Sequence, residues 1–292
     1  MIDLHMHSTY SDGDKSVTKL LTLCEEKSLE YISLTDHNTM KQYSDKAINE
    51  GLFSGKIIKG VELSADFKTK KIEVLGYNIK KTEIIDTWAE QYFSIEIHQQ
   101  EQEEAKKRLF AICDKKGLVY EEDKIKKLAS PKDFVSTYIY NELMRHEKNH
   151  AILGEFTQSA SYFIRKGIMD PSSEYYLCAS KTPKPSYKEV VDIIHKAGGL
   201  AFLAHPFEYR FDNTLGFMDA LMAENKLDGI ECFHPSADEE QRAVLEEYAR
   251  AHTFYISGGS DYHGSKKQGV QLGVGRGDLN ISKKYLEEWV EV

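Results

Sequence analysis

Residues 1–14, MIDLHMHSTYSDGD, decide how the chain is read. Ile2, Leu4 and Met6 alternate with Asp3, His5 and His7, the period of a strand that sends its apolar side chains to one face and both histidines to the other. STYSDGD has turn composition, which ends the strand and puts Asp12 in a loop at its carboxyl end. Two imidazoles and a carboxylate at one strand end suit a divalent cation better than a core, because plain burial leaves their lone pairs unsatisfied. A hydrogen-bonded or surface histidine pair is the competing reading of this stretch alone.

Outward from it, SVTKLLTLCEEKSL has apolar residues at helical spacing and EYISLTDHNT is a short β-rich run ending in a polar turn. GKIIKGVELSAD and KKIEVLGYNI read as two further strands separated by a short turn. From about residue 82 the pattern becomes helical and rich in Glu, Gln and Lys, with Gly117 as a C-terminal stop. Helical character continues to about residue 180, where KTPKPSY forms an exit linker. Then YKEVVDIIHKAGG predicts an amphipathic helix, and strands recur at LAFLAHP, LDGIECFHP and TFYISGGSDYHG, with a helix between the last two. We expect a barrel-like α/β domain from residues 1–80 and 181–292 with a mostly helical insert, a substrate cap, at 81–180.

The 292 residues are enough for a large core, and 41% hydrophobic with 29% charged residues is a soluble globular balance. No apolar run approaches the roughly 20 residues that span a bilayer, and MIDLHMH lacks the regions of a signal peptide, so a cytoplasmic location without membrane contact is expected. Cys24, Cys113, Cys178 and Cys232 are widely separated with no C-x-x-C spacing, which suggests neither a disulfide framework nor a zinc knuckle and predicts free buried thiols. A net charge of −9 argues against general nucleic-acid binding, although a metal cluster holds anions whatever the overall charge.

The chemistry-bearing residues fall at predicted strand ends: His37 in LTDHNT, Glu62 in KGVELSAD, His205 in LAFLAHP, Asp261 and His263 in ISGGSDYHG. In a closed parallel barrel these carboxyl ends meet on one face. Singly, each is a hydrogen-bonded histidine or an exposed carboxylate; jointly, they read as a cation site. Nitrogen and oxygen ligands without cysteine suit Zn²⁺, Mn²⁺ or Fe²⁺, with Mg²⁺ less apt.

DLHMHSTYSDG, LTDHNT, GVELSA, AHP and GSDYHG, in this order, resemble the motifs of the polymerase and histidinol phosphatase (PHP) superfamily of metal-dependent phosphoesterases, over the first 80 and last 110 residues or so. The helical insert resembles that of PHP phosphatases acting on AMP or nucleoside 3′,5′-bisphosphates. The resemblance implies a distorted seven-stranded (β/α) barrel, a (β/α)7 fold, carrying two or three metals. Carried over by motif, His5, His7, Glu62 and Asp261 bind one ion; Glu62 bridges to a second held by His205 and position 73; Asp12, His37 and His263 hold the third. Position 73 departs from the pattern, with Glu73 where the family usually has histidine; a harder oxygen ligand and an exposed edge-strand carboxylate are the two readings.

The implied reaction is phosphomonoester hydrolysis by a metal-activated hydroxide with no side-chain nucleophile. The expected substrate is a small phosphorylated molecule, a nucleotide such as AMP or a nucleoside 3′,5′-bisphosphate, with no stable nucleic-acid complex. Histidinol phosphate and oligonucleotides are alternative substrates, and an amidohydrolase or a non-catalytic sensor are alternative classes. Asp3 and Asp36 are candidates to orient imidazoles, with a solvated turn carboxylate as the alternative for each. Lys132, Lys181, Lys184 and Arg210 are candidate phosphate anchors, each with an ordinary surface charge as its alternative. His234, beside Glu231 in GIECFHP, is a candidate contact to substrate or leaving group.

Overall fold

The computed structural model describes residues 1–68, 70–125, 134–170, 172–177 and 182–290. Strands β1 (Ile2–Asp3), β2 (Tyr31–Ile32) and β3 (Lys56–Ile57) form a parallel sheet in that order. Helix α1 (Val17–Glu26) makes the crossover from β1 to β2: the Ser16 side chain caps it by accepting from Lys19 N, and Val17, Leu20, Leu21 and Cys24 bury one stripe.

The second sheet runs β4 (Val61–Phe67), β5 (Lys70–Tyr77), β6 (Leu200–Leu203), β7 (Gly229–Phe233) and β8 (Tyr255–Gly258). The β4–β5 and β5–β6 pairs are antiparallel, while β6–β7 and β7–β8 are parallel. Helix α2 (Thr82–Phe93) follows β5, and Ile85 and Ala89 are its buried residues. The helices α3 (Ile95–Lys116), α4 (Val135–Leu143), α5 (Glu147–Leu153) and the short α6 (Ala160–Tyr162) come next. Gly117 ends α3 at φ 70°, the left-handed cap that glycine takes without strain. Helix α7 (Tyr187–Lys196) starts on a Ser186–Glu189 capping box, and α8 (Thr214–Glu224) and α9 (Glu239–His252) are the crossovers of the parallel strands.

The chain divides into two compact units, residues 1–91 with 184–292, and residues 92–183. Helix α2 therefore lies almost wholly with the first unit, because Ile85 joins the same core as Val61, Val74, Phe202 and Ile230. The second unit has a core of its own around Leu109, Cys113, Ile139, Leu143 and Phe163. Cys24, Cys113 and Cys232 are buried free thiols; Cys178 lies outside the described residues.

The fold is α/β, but among the described residues the ladders do not close into the expected seven-stranded barrel. The three-stranded and five-stranded sheets meet through single bridges, Met6 to Tyr262 and His37 to Glu62. The short turn after Phe67 explains the break in the parallel order within the second sheet: two strands joined so closely must pair antiparallel, whereas a parallel pair needs a crossover of a dozen residues or more.

Candidate metal centre

Each chemistry-bearing side chain is aimed by the element before it. Beyond β1 the backbone stays extended, with Leu4 and Met6 in the cores and His5 and His7 buried on the opposite side. The stretch is held on both flanks, since Asp261 N donates to His5 O on one side and Thr35 N to Met6 O on the other. His37 follows β2, His205 follows β6, and Asp261 and His263 follow β8. Glu62 is the exception to the expected strand-end rule. It is the second residue of β4 and points into the cluster from the strand's amino end, because β4 and β5 are antiparallel. Glu73, on β5 opposite Ser64, shares that face diagonally with Glu62.

His205 and Asp261 adopt φ of 28° and 53°, backbone that non-glycine residues rarely take. Such strain persists where the surroundings over-determine it. Gly259 shows how tight the packing is: a Cβ there would meet His5 N at 2.3 Å, and one at Gly13 would meet His7 O at 2.1 Å.

The ring nitrogens and carboxylate oxygens converge. Glu62 Oε2 lies 3.1 Å from His5 Nε2, 3.2 Å from His7 Nε2 and 3.2 Å from His37 Nδ1, while its Oε1 lies 2.9 Å from His205 Nε2. Asp261 Oδ1 is 3.5, 3.3 and 3.3 Å from nitrogens of His5, His7 and His263. Asp12 Oδ1 lies 3.2 Å from His263 Nε2, 3.6 Å from His7 Nδ1 and 3.8 Å from His37 Nε2. Glu73 Oε2 is 3.4 Å from His205 Nε2 and its Oε1 3.7 Å from His37 Nδ1.

This donor set fits divalent cations. Glu231 Oε1 accepts from His5 Nδ1 at 2.9 Å, which leaves His5 Nε2 as a lone pair in the neutral ring, facing His7 Nε2 at 3.2 Å. His37 Nδ1 is buried with no hydrogen-bond partner despite its nearness to Glu62. Acceptors crowded this way repel unless a cation lies between them. Ligand bonds of about 2.1 Å put neighbouring ligand atoms about 3.0 Å apart in an octahedron and about 3.4 Å apart in a tetrahedron, which matches the contacts above.

The electrostatics agree. Burial works against a charged imidazole, yet hydrogen bonds to Asp261 and Glu62 raise His7 to about 10, and Glu62 raises His205 to about 9. His5 stands well above the usual histidine range against the same burial penalty, through Glu231, Glu62 and Asp261. Burial alone would raise Glu62 and Asp261, but the surrounding imidazoles hold both well below the usual carboxylate range. Burial and the Glu62 charge push Glu73 up.

The structure thus brings together His5, His7, Asp12, His37, Glu62, Glu73, His205, Asp261 and His263, nine side chains in overlapping groups that could hold metal ions. His234 also reaches the cluster, 3.3 Å from Asp261 Oδ2 and buried. Arg210 is exposed, one turn past His205, and makes no ion pair among the described residues. Lys184 precedes Pro185, whose carbonyl accepts from Asp66 N, four residues along β4 from Glu62. Lys132 and Lys181 lie outside the described residues.

Two orienting roles are corrected. Asp36 touches no imidazole; it accepts from the backbone and hydroxyls of Ser8 and Ser11 and so pins the loop that carries Asp12. Asp3 accepts from Ser260 and Gly273, tying β1 to the loop after β8. The imidazole is oriented instead by Glu231, whose second oxygen accepts from His205 N at 2.9 Å. Lys267, absent from the sequence reading, ion-pairs with Asp261 Oδ2.

Residues 3–290 match the PHP domain family, and the chain belongs to it. It is an enzyme of the metal-dependent phosphoesterase class. It is 27% identical over 269 residues to a 5′-3′ exoribonuclease of Haemophilus influenzae, covering 89% of each chain. It is 28% identical over 288 residues to a phosphoribosyl 1,2-cyclic phosphate 1,2-diphosphodiesterase of Eggerthella lenta, covering 90% of this chain and 94% of the relative. A 3′,5′-nucleoside bisphosphate phosphatase of Chromobacterium violaceum is 23% identical over 275 residues, covering 93% and 90%. A solved structure from Bifidobacterium adolescentis, described as a metal-dependent phosphoesterase, shares the fold with a TM-score of 0.68 at 22% identity, covering 98% and 94%. Among the described residues no helix is long and apolar enough to cross a membrane.

Proposed function

We propose that the chain hydrolyses a phosphomonoester, a nucleotide such as AMP or a nucleoside 3′,5′-bisphosphate, at a cluster of two or three divalent ions, Mn²⁺, Fe²⁺ or Zn²⁺. The observation that carries this reading is Glu62, buried and faced by nitrogens of His5, His7, His37 and His205. One carboxylate between several imidazoles would let neighbouring ions share it. We assign His5, His7, Glu62 and Asp261 to one ion, Glu62, His205 and Glu73 to a second, and Asp12, His37 and His263 to a third. The single bridges between the two sheets support reading them as arcs of one distorted barrel.

Bound ions would supply charge neutralisation of the phosphoryl group and a lowered water pKa. The protein's own part is positional. Glu231 fixes the His5 ring with Nε2 inward, Asp36 holds the Asp12 loop, and the Met6–Tyr262 and His37–Glu62 bridges hold the segments that carry His7 and His37. His234, its Nδ1 2.7 Å from Ser236 Oγ, presents Nε2 beside Asp261 and is assigned to contact substrate or leaving group.

A panel tests this: AMP, 3′,5′-bisphosphoadenosine, histidinol phosphate and bis-p-nitrophenyl phosphate, with added Mn²⁺, ranked by kcat/KM. Nucleotide monoesters are expected to lead. Turnover of the diester alone would overturn the monoesterase reading.

A further inference from the structure

Lys267 enters the cluster from the loop after β8. Its ammonium pairs with Asp261 Oδ2, the oxygen that also faces His234 Nε2, whereas Asp261 Oδ1 faces the nitrogens of His5, His7 and His263. The two sides of this carboxylate are thus divided between the metal-ligating imidazoles and a cation. Among the described residues Lys267 is the one lysine or arginine whose head group is paired to a carboxylate of the cluster. Five carboxylates meet here, Asp12, Glu62, Glu73, Glu231 and Asp261. Two divalent ions leave that set at about −1 and three at about +1, so in either case an incoming phosphoryl dianion is not balanced without a further cation.

Lys267 is built to supply it. Its side chain is 25% exposed, and Lys267 lines an open groove of about 380 Å³ with Tyr262, Gln268 and Gln271. The loop behind it is fixed, because Asp14 Oδ2 accepts from Ser265 N at 2.9 Å. A lysine on a flexible stem serves as a point charge for phosphate where a carboxylate is only its resting partner. We infer that Lys267 is a phosphate-binding residue that contacts a non-bridging oxygen of the substrate's terminal phosphoryl group. This rests on the phosphomonoesterase reading and deepens it: the site selects a group carrying two negative charges.

The test compares Mn²⁺-loaded wild type, Lys267→Met and Lys267→Arg in three measurements: bound Mn²⁺ by elemental analysis, orthophosphate affinity by calorimetry, and kcat and KM for p-nitrophenyl phosphate. Lys267→Met is expected to keep its metal, lose about tenfold or more in orthophosphate affinity and raise KM in step, with Lys267→Arg retaining most of the affinity. If Lys267→Met does not fold, Lys267→Gln takes its place with the same expectation. Unchanged phosphate affinity and KM overturn the inference while leaving the phosphatase reading intact. Altered Mn²⁺ content at unchanged phosphate affinity makes Lys267 a counter-charge to the ligands and also overturns it. A wild type that neither binds orthophosphate nor turns over any monoester overturns both.

Discussion

Glu231→Gln isolates the residue that orients the centre without belonging to its proposed ligand sets. Both Glu231 oxygens are committed, Oε1 to His5 Nδ1 and Oε2 to His205 N, each at 2.9 Å, and the side chain is fully buried. Both partners are donors, so an amide in its place can satisfy only one of them. If the amide oxygen keeps His205 N, the amide NH₂ faces His5 Nδ1 and drives the ring toward the tautomer with its proton on Nε2, which points at His7 Nε2 and Glu62. If it keeps His5, the strained turn at His205 loses its acceptor. Losing such an orienting partner typically lowers metal affinity about 10- to 100-fold, or about 1.4–2.7 kcal/mol. Calorimetric Mn²⁺ titration of wild type and Glu231→Gln reads the loss, and ¹⁵N shifts of the His5 ring read the tautomer. A Mn²⁺ affinity within about twofold of wild type with an unchanged His5 tautomer would refute the reasoning.

Glu73→Ala should lose about 10-fold or more in affinity for one ion, and Glu73→His should restore it with a shift toward Zn²⁺; identical Mn²⁺ titrations for all three proteins would remove Glu73 from the centre. Gly259→Ala forces a Cβ to within 2.3 Å of His5 N, an overpacking cost of about 1–3 kcal/mol. A thermal melt should therefore fall by about 2–4 °C for each kcal/mol, and an unchanged midpoint would show that the backbone relaxes freely. Metal binding should release protons at pH 7, since His7 near 10 and His205 near 9 hold theirs in the metal-free protein and must give them up to ligate. Calorimetry in two buffers of different ionisation enthalpy checks it, and zero net release would contradict the shifts. With both values raised, the imidazoliums stabilise the metal-free fold fully below about pH 6.5. That contribution fades as pH climbs through about 9 and about 10, so the metal-free melting temperature should fall across that range.

What a linear reading recovers depends on whether a residue's role is set by local period or by distant packing. His5 and His7 are visible because alternation fixes their face even though the ladder stops at Asp3; the extended backbone runs on to the Met6–Tyr262 bridge. His37, His205, Asp261 and His263 are visible because turn chemistry marks where strands end. Glu62 was found for an incomplete reason, since it works from the start of an antiparallel strand. The turn that reverses the chain there includes Lys68 at φ 54°, where no glycine or asparagine signals the conformation. Lys267 carries no local mark at all: it sits beside Lys266 in SKKQG, and only the folding of the loop onto Asp14 selects which lysine faces inward.

The donor count around Glu62 explains why these residues need one another. A carboxylate oxygen offers about two lone pairs, yet three ring nitrogens stand within 3.2 Å of Oε2. They cannot all be hydrogen-bond donors to it, and His37 Nδ1 is the one left without a bond. His5 is further constrained, because donating Nδ1–H to Glu231 leaves a neutral ring no proton for Nε2. Protonating the rings answers this in part, which is why His5, His7 and His205 are raised, but it places positive rings in contact, with His5 and His205 stacked at a centroid distance of 5.7 Å. Divalent ions would answer it completely: each would accept several lone pairs at once, and the imidazoles would return to neutrality. The buried Glu62 and Asp261 charges, costly without partners, would then serve as the counter-charge of those ions.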